Sequence, residues 1–132
     1  MRQIILDTNF WLLPFEKGLD VFGQIERLSE DEPYTLVATS SVLAELEAMS
    51  NSKVKRKNVL AARGALRAIR NWRASGKVSV AQTDGPADGT IITLALQTGA
   101  WVATNDRALR MRLHGKRIKV LLLRDEHKID FF

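Results

Sequence analysis

The sequence predicts an α/β fold with a central, mainly parallel sheet flanked by helices. Three observations lead there. Short apolar runs of β type alternate with helical patterns along the chain, as in a sheet whose faces are covered by its own crossover helices. Two of those runs are closed by carboxylates: Asp7 follows Ile4-Ile5-Leu6, and Asp106 comes soon after Ala100-Trp101-Val102-Ala103. Open parallel sheets collect ligands at the carboxyl ends of their strands. Finally, 132 residues with 45% hydrophobic and 27% charged content suit one folded domain spanning 1–132 and argue against a disordered chain.

The first strand is expected at residues 3–7. Leu19, Phe22, Ile25 and Leu28 recur near helical spacing, which predicts a helix over 19–28, ended by the acidic segment 29–33. A second strand follows at 34–39. Ser40 or Ser41 is placed to cap a helix running to about Met49, since a hydroxyl there satisfies a free amide of the first turn. Ser50-Asn51-Ser52 breaks that helix. The next one, 53–73, is stopped by Ser75-Gly76 and is two-sided at about 100° per residue. Val59, Ala62, Ala65, Leu66, Ile69 and Trp72 form its apolar side, while Lys53, Arg56, Arg63, Arg67 and Arg70 share another stripe. Gly64 weakens it locally. Residues 77–82 read as a third strand, 86–97 as a helix closed by Gly99, 100–104 as a fourth strand, 107–113 as a helix and 118–123 as a fifth strand.

No run approaches the roughly 18 apolar residues needed to span a bilayer, and no signal peptide is visible, so a cytoplasmic protein with no membrane partner is expected. With no cysteine, the strong metal ligands available are carboxylate and histidine. His114 and His127 are isolated in basic surroundings, which argues against a zinc site. The net charge of +5 is concentrated: residues 53–77 hold nine Lys or Arg and no acid, and 107–119 hold six more, again with no acid. Such a surface suits an anionic polymer, because each phosphate neutralised releases counterions, and nucleic acid leads the candidates.

Four acids could carry chemistry, and each also has an ordinary explanation. Asp7 stands where a core side chain would be expected; a buried carboxylate needs a cation or metal, or else it serves as a turn or cap residue. Asp106 reads as the N-cap of the following helix, unless Asn105 caps and leaves Asp106 free. Asp88 suits the first turn of its helix through the helix dipole. It also lies at i, i+3, i+4, i+7 with Ile91, Ile92 and Ala95, which puts it on the buried side. Asp84, in Asp84-Gly85-Pro86, is closer to a turn residue. Glu45 and Glu47 flank the stripe of Val42, Leu43, Leu46 and Met49 on opposite sides, and periodicity does not choose between them.

Leu6-Asp7-Thr8-Asn9-Phe10, Val42-Leu43-Ala44-Glu45-Leu46-Glu47, Ala87-Asp88-Gly89-Thr90-Ile91 and Ala103-Thr104-Asn105-Asp106-Arg107-Ala108-Leu109 together resemble the PIN-domain nucleases in order and spacing. The Asp-Thr-Asn-Phe start, the Ala-Glu-Leu-Glu helix and the Asp-Arg-x-Leu-x-x-Arg segment are most similar to the rRNA-processing endonucleases of the small-subunit processome and their archaeal relatives. The resemblance covers nearly the whole chain. It implies a three-layer α/β/α sandwich with about five strands, and a metal-dependent endoribonuclease in which Asp7, Glu45, Asp88 and Asp106 bind one or two Mg²⁺ or Mn²⁺ ions. It also selects Glu45 over Glu47 and makes Asn9, Thr104 and Asn105 polar helpers. Gly89 stands where many relatives carry a second acid, so a fifth carboxylate is missing.

RNA, with an rRNA precursor foremost, would then lie against Lys53, Arg56, Arg63, Arg67, Arg70, Arg107 and Arg110. Trp11, Trp72 and Trp101 read as core residues, although Trp11 is near enough to Asp7 to border the cleft and stack on a base. The same resemblance allows a homodimer. It also allows a second function, the toxin of a toxin–antitoxin pair with an antitoxin partner, and a third, an RNA-binding ribosome-assembly factor with little or no chemistry. An aspartyl phosphatase would need a second Asp where Asn9 stands, and a phospho-receiver would need an acidic pair before Asp7.

Overall fold

A computed structural model of the chain describes residues 1–53 and 56–132, with Arg56 described by its backbone alone. The elements run β1 (Arg2–Leu6), α1 (Thr8–Lys17), α2 (Val21–Leu28), β2 (Tyr34–Thr39), α3 (Ser40–Ser50), α4 (Arg56–Ala74), β3 (Val78–Ala81), α5 (Ala87–Thr98), β4 (Trp101–Ala103), α6 (Arg107–Gly115), β5 (Val120–Arg124) and β6 (Lys128–Phe131). They build one sheet in the order β3-β2-β1-β4-β5-β6, parallel throughout except for β6, which runs antiparallel to β5.

Strand periodicity explains the layers. Ile4, Leu6, Leu36, Ala38, Val78, Ala103 and Leu121 face one side, where they pack with α1 to α4; Ile5, Val37, Val102 and Val120 face the other, against Ile91, Ile92 and Ala95 of α5 and Leu109 and Leu113 of α6. The arrangement is the expected three-layer α/β/α sandwich, with one strand more than the pattern of apolar runs indicates. Among the described residues no helix is long and apolar enough to cross a membrane.

Five local features differ from expectation. Helix α1 has no amphipathic signature, because Phe10, Trp11, Leu12 and Leu13 are all buried and Pro14 lies inside the helix. Strand β6 is only four residues long; Gln24 of α2 fastens it by donating from Nε2 to the His127 carbonyl (3.1 Å) and accepting the Ile129 amide on Oε1 (2.7 Å). The cap of α3 is Thr39, whose hydroxyl accepts the Val42 amide at 3.2 Å, while Ser40 turns to the β3–α5 loop instead. Helix α4 runs from Arg56, so Lys53 stands outside it, and Val54 and Lys55 of the expected helix lie outside the described residues. Gly64, read as a weak point, marks a close approach: a Cβ there would sit 2.6 Å from the Phe15 ring of α1.

Candidate functional site

Strand β1 lies inside the sheet, and the chain leaves it first toward β2 and β3, then returns to its other side for β4 and β5. The crevice between β1 and β4 is therefore the point where the crossover direction reverses, and open α/β sheets bind ligands there. Asp7 leaves the end of β1 at this point, continuing the ladder through its amide to the Ala103 carbonyl (3.0 Å). Thr104, Asn105 and Asp106 leave the end of β4 beside it.

Asp7 is 8% exposed and is fixed on both oxygens. Its Oδ1 accepts the Thr8 amide at 2.8 Å, which caps α1, and its Oδ2 accepts the hydroxyl of the fully buried Thr104 at 2.9 Å. Burial raises the Asp7 pKa above the ordinary carboxylate value; the Thr8 amide and the Thr104 hydroxyl pull it back, and the negative charges of Asp88 and Glu45 push it up again. Asp88 and Glu45 thus both act on Asp7 across the crevice.

Glu45 reaches Asp7 through Thr8, a residue that sequence reasoning did not single out. The Thr8 hydroxyl donates to Glu45 Oε2 at 2.7 Å across 37 positions of sequence. Only its place directly after a strand-end aspartate could have pointed to it. Glu47, by contrast, lines a groove with Leu43 of α3 and Leu66, Ile69, Arg70 and Arg73 of α4. Asp88 is half-buried in the first turn of α5, where Pro86 caps without a side-chain bond and the helix dipole favours the negative charge. The Ser40 hydroxyl oxygen accepts the Thr83 amide at 2.8 Å and the Ser41 hydroxyl meets that of Thr83 at 3.2 Å, clasping the start of α3 to the loop that leads into α5. At Gly89 a Cβ would meet nothing within 4 Å, so packing does not require glycine there.

Asp106 is exposed and caps α6, its Oδ1 accepting the Leu109 amide at 2.8 Å. Asn105 is not the cap: its Oδ1 accepts the Leu123 amide (2.9 Å) and ties β4 to β5. Thr104 links the two aspartates, because its hydroxyl oxygen also accepts the Asp106 amide at 3.1 Å. Asn9 is exposed. Trp11 is fully buried against Phe22 (ring centroids 6.0 Å apart), so it offers no face to a base.

The basic residues lie in several different surroundings. Exposed Arg63 and Arg67 rim a groove of about 780 Å³ with Pro14, Phe15 and Trp72, whereas Arg70 borders the groove that holds Glu47. Arg107 is exposed at the start of α6 beside Asp106. Arg110 is half-buried with its guanidinium 4.9 Å from the Phe132 ring centre. Lys53 is exposed after α3, and the Arg56 side chain lies outside the described residues.

Among the described residues no Lys, Arg or His forms an ion pair with Asp7, Glu45, Asp88 or Asp106, and the two ion pairs present lie elsewhere, Arg2–Glu32 and Arg124–Asp130. Nor do any three acidic or histidine side chains stand close enough, as placed, to hold an ion together. The fit to a metal therefore rests on donor chemistry. A buried carboxylate that feels two others and has no internal cation suits a hard divalent ion with oxygen ligands, such as Mg²⁺ or Mn²⁺.

Comparisons with known proteins agree with this geometry. A sequence model for the family described as PIN like domain matches residues 4–126. Ribonuclease VapC4 of Methanocaldococcus jannaschii is 31% identical over 134 residues, covering 100% of this chain and 98% of its own. The solved PIN domain endonuclease Utp24 superposes with a TM-score of 0.76 at 23% identity, covering 98% of this chain and 90% of that one. A chain of VapBC2 from Rickettsia felis, solved bound to a DNA fragment from its promoter, gives a TM-score of 0.60 at 18% identity, with 92% and 99% covered.

Proposed function

The chain belongs to the PIN-like domain family, and from that premise we propose that it is a divalent-metal-dependent endoribonuclease with Asp7, Glu45, Asp88 and Asp106 as its acidic set. One observation carries the reading: Asp7 lies at the reversal point of the sheet, its carboxyl is pushed up by burial and then by the charges of Asp88 and Glu45, and no cation among the described residues pairs with these acids. One or two Mg²⁺ or Mn²⁺ ions there would make a water nucleophilic at neutral pH and offset charge on the phosphate. The chain supplies the rest. Asp7 is oriented through both oxygens, Glu45 through Thr8, and Asp106 through its cap. Asn9, Thr104 and Asn105 are the polar helpers, with Thr104 acting through Asp7 and Asp106. Lys53, Arg56, Arg63, Arg67, Arg70, Arg107 and Arg110 would hold the RNA backbone.

For the substrate we infer precursor rRNA, on the three motif features shared with the processome branch: the Asp7-Thr8-Asn9-Phe10 start, Ala44-Glu45-Leu46-Glu47, and Asp106-Arg107 with Leu109 and Arg112. A second reading, the nuclease of a toxin–antitoxin pair with an antitoxin partner, is favoured by the full-length alignment with a VapC ribonuclease and by the fold shared with VapBC2. Incubating wild type and Asp7→Asn with structured pre-rRNA fragments in Mn²⁺, and mapping the cuts, tests the proposal. Wild-type cleavage at discrete sites and none by Asp7→Asn is expected. Undiminished cleavage by Asp7→Asn would sink the catalytic assignment, and cleavage of other RNAs with pre-rRNA left intact would favour the second reading.

A further inference from the structure

We propose that Thr8 is a positioning residue: its hydroxyl turns Glu45 toward Asp7 and so sets the affinity of the carboxylate site for a divalent cation. This rests on the reading of those acids as a metal site. Glu45 is exposed on α3, and a glutamate there would ordinarily sample several rotamers. Its one partner among the described residues is the Thr8 hydroxyl, at 2.7 Å from Oε2. Thr8 is itself held rigidly. It is 6% exposed, it starts α1, its amide is bound to Asp7 Oδ1, and its branched side chain has few rotamers. A stiff buried donor therefore fixes a flexible exposed acceptor.

The chemistry of the donor matters as much as its stiffness. A lysine or arginine in this place would orient Glu45 equally well but would cancel the charge that attracts a cation. A hydroxyl orients without neutralising. It gives its single proton to Oε2 and leaves Oε1 with no bond among the described residues. Thr8 joins Asp7 and Glu45 through two different atoms, so the spacing of the two carboxylates is set by one residue. Partners of this kind behind a metal ligand typically change metal affinity about 10- to 100-fold when removed.

The test is calorimetric titration of Mn²⁺ into the full chain as wild type, Thr8→Val and Thr8→Ser, with thermal melts alongside. Valine keeps the shape and removes the hydroxyl; serine restores it. The inference expects Thr8→Val to bind Mn²⁺ about 10- to 100-fold more weakly. Thr8→Ser should recover most of that loss, and Thr8→Val should add nothing further in a Glu45→Ala background. If Thr8→Val melts below the assay temperature, Thr8→Ala takes its place against Thr8→Ser. Wild-type affinity in Thr8→Val overturns the role of Thr8. So does a serine variant as weak as valine, or an undiminished effect without Glu45. A wild type that binds no Mn²⁺, or an Asp7→Asn variant that binds it normally, overturns the metal reading itself and this inference with it.

Discussion

The hydroxyl of Thr104 donates to Asp7 Oδ2 at 2.9 Å, joining residues 97 positions apart, and the same oxygen accepts the Asp106 amide at 3.1 Å. One buried side chain thereby connects the end of β1 to the cap of α6. Its place at the end of β4 makes this possible, because β1 and β4 are hydrogen-bonded neighbours in parallel register, with Leu6 opposite Ala103.

Thr104→Val should consequently cost about 1–3 kcal/mol, since it removes a bond to a buried carboxylate and leaves an amide without its acceptor. Urea unfolding at neutral pH measures this. Thr104→Ser should retain most of the stability. An unaltered midpoint for the valine variant would mean that the hydroxyl bonds are weak.

Asp7 titrates above its unfolded value because of burial and the charges of Asp88 and Glu45. A carboxyl raised in the folded state holds its proton more tightly there than in the unfolded chain. Its favourable contribution is greatest below the unfolded pKa of about 3.9 and is lost as pH rises through the folded value. Asn can still accept the Thr8 amide and cap α1. Asp7→Asn should therefore melt a few degrees above wild type at neutral pH, with the difference shrinking toward pH 4, while cleavage disappears. Added Mn²⁺ should raise the melting temperature of wild type and not of the variant. A variant less stable than wild type at neutral pH would show that the hydrogen bonds of Asp7 outweigh its burial.

Asp106 separates its two roles through a pair of substitutions. Asp106→Ala should lose about 1 kcal/mol with the cap of α6, and Asp106→Asn should lose much less. Both should lose cleavage if the carboxylate serves the reaction. Activity that survives in the Asn variant would leave Asp106 as a cap alone.

Charge reversal at Arg63 and Arg67 should weaken RNA binding and lower the slope of log K against log salt by about one to two, as expected when two phosphate contacts with a single strand are lost. An unchanged slope would remove these two arginines from the RNA surface and leave them as the rim of the groove that Phe15 and Trp72 line.

How much of this was legible in the sequence depends on the range of the interaction. Strands β1 to β5 and helices α2 to α6 follow from local periodicity, with bounds shifted by one to three residues where they differ. Helix α1 escapes because its apolar residues are buried all round and it contains Pro14, so the tertiary core overrides a pattern that is not helical. Strand β6 escapes because four residues at an edge carry little signal. The acids were visible as strand-end and first-turn positions. Thr8 was not, since a hydroxyl has no recognisable spacing until α3 has been placed against α1. Gly64 shows the reverse error: a residue that looks costly in an isolated helix marks where Phe15 comes close.

Inner strand β1 is made first, yet its two flanks are filled in sequence, by β2 on one side and by β4 on the other. During synthesis Asp7 must wait for Thr104, 97 positions further on, and for Asp106 beyond it. A hydrolase assembled in that order has a built-in delay. A nascent chain that already displays the basic α4 but not yet β4 holds Asp7 without its Thr104 partner, so on the proposed assignment the site is completed only after the basic helix has formed.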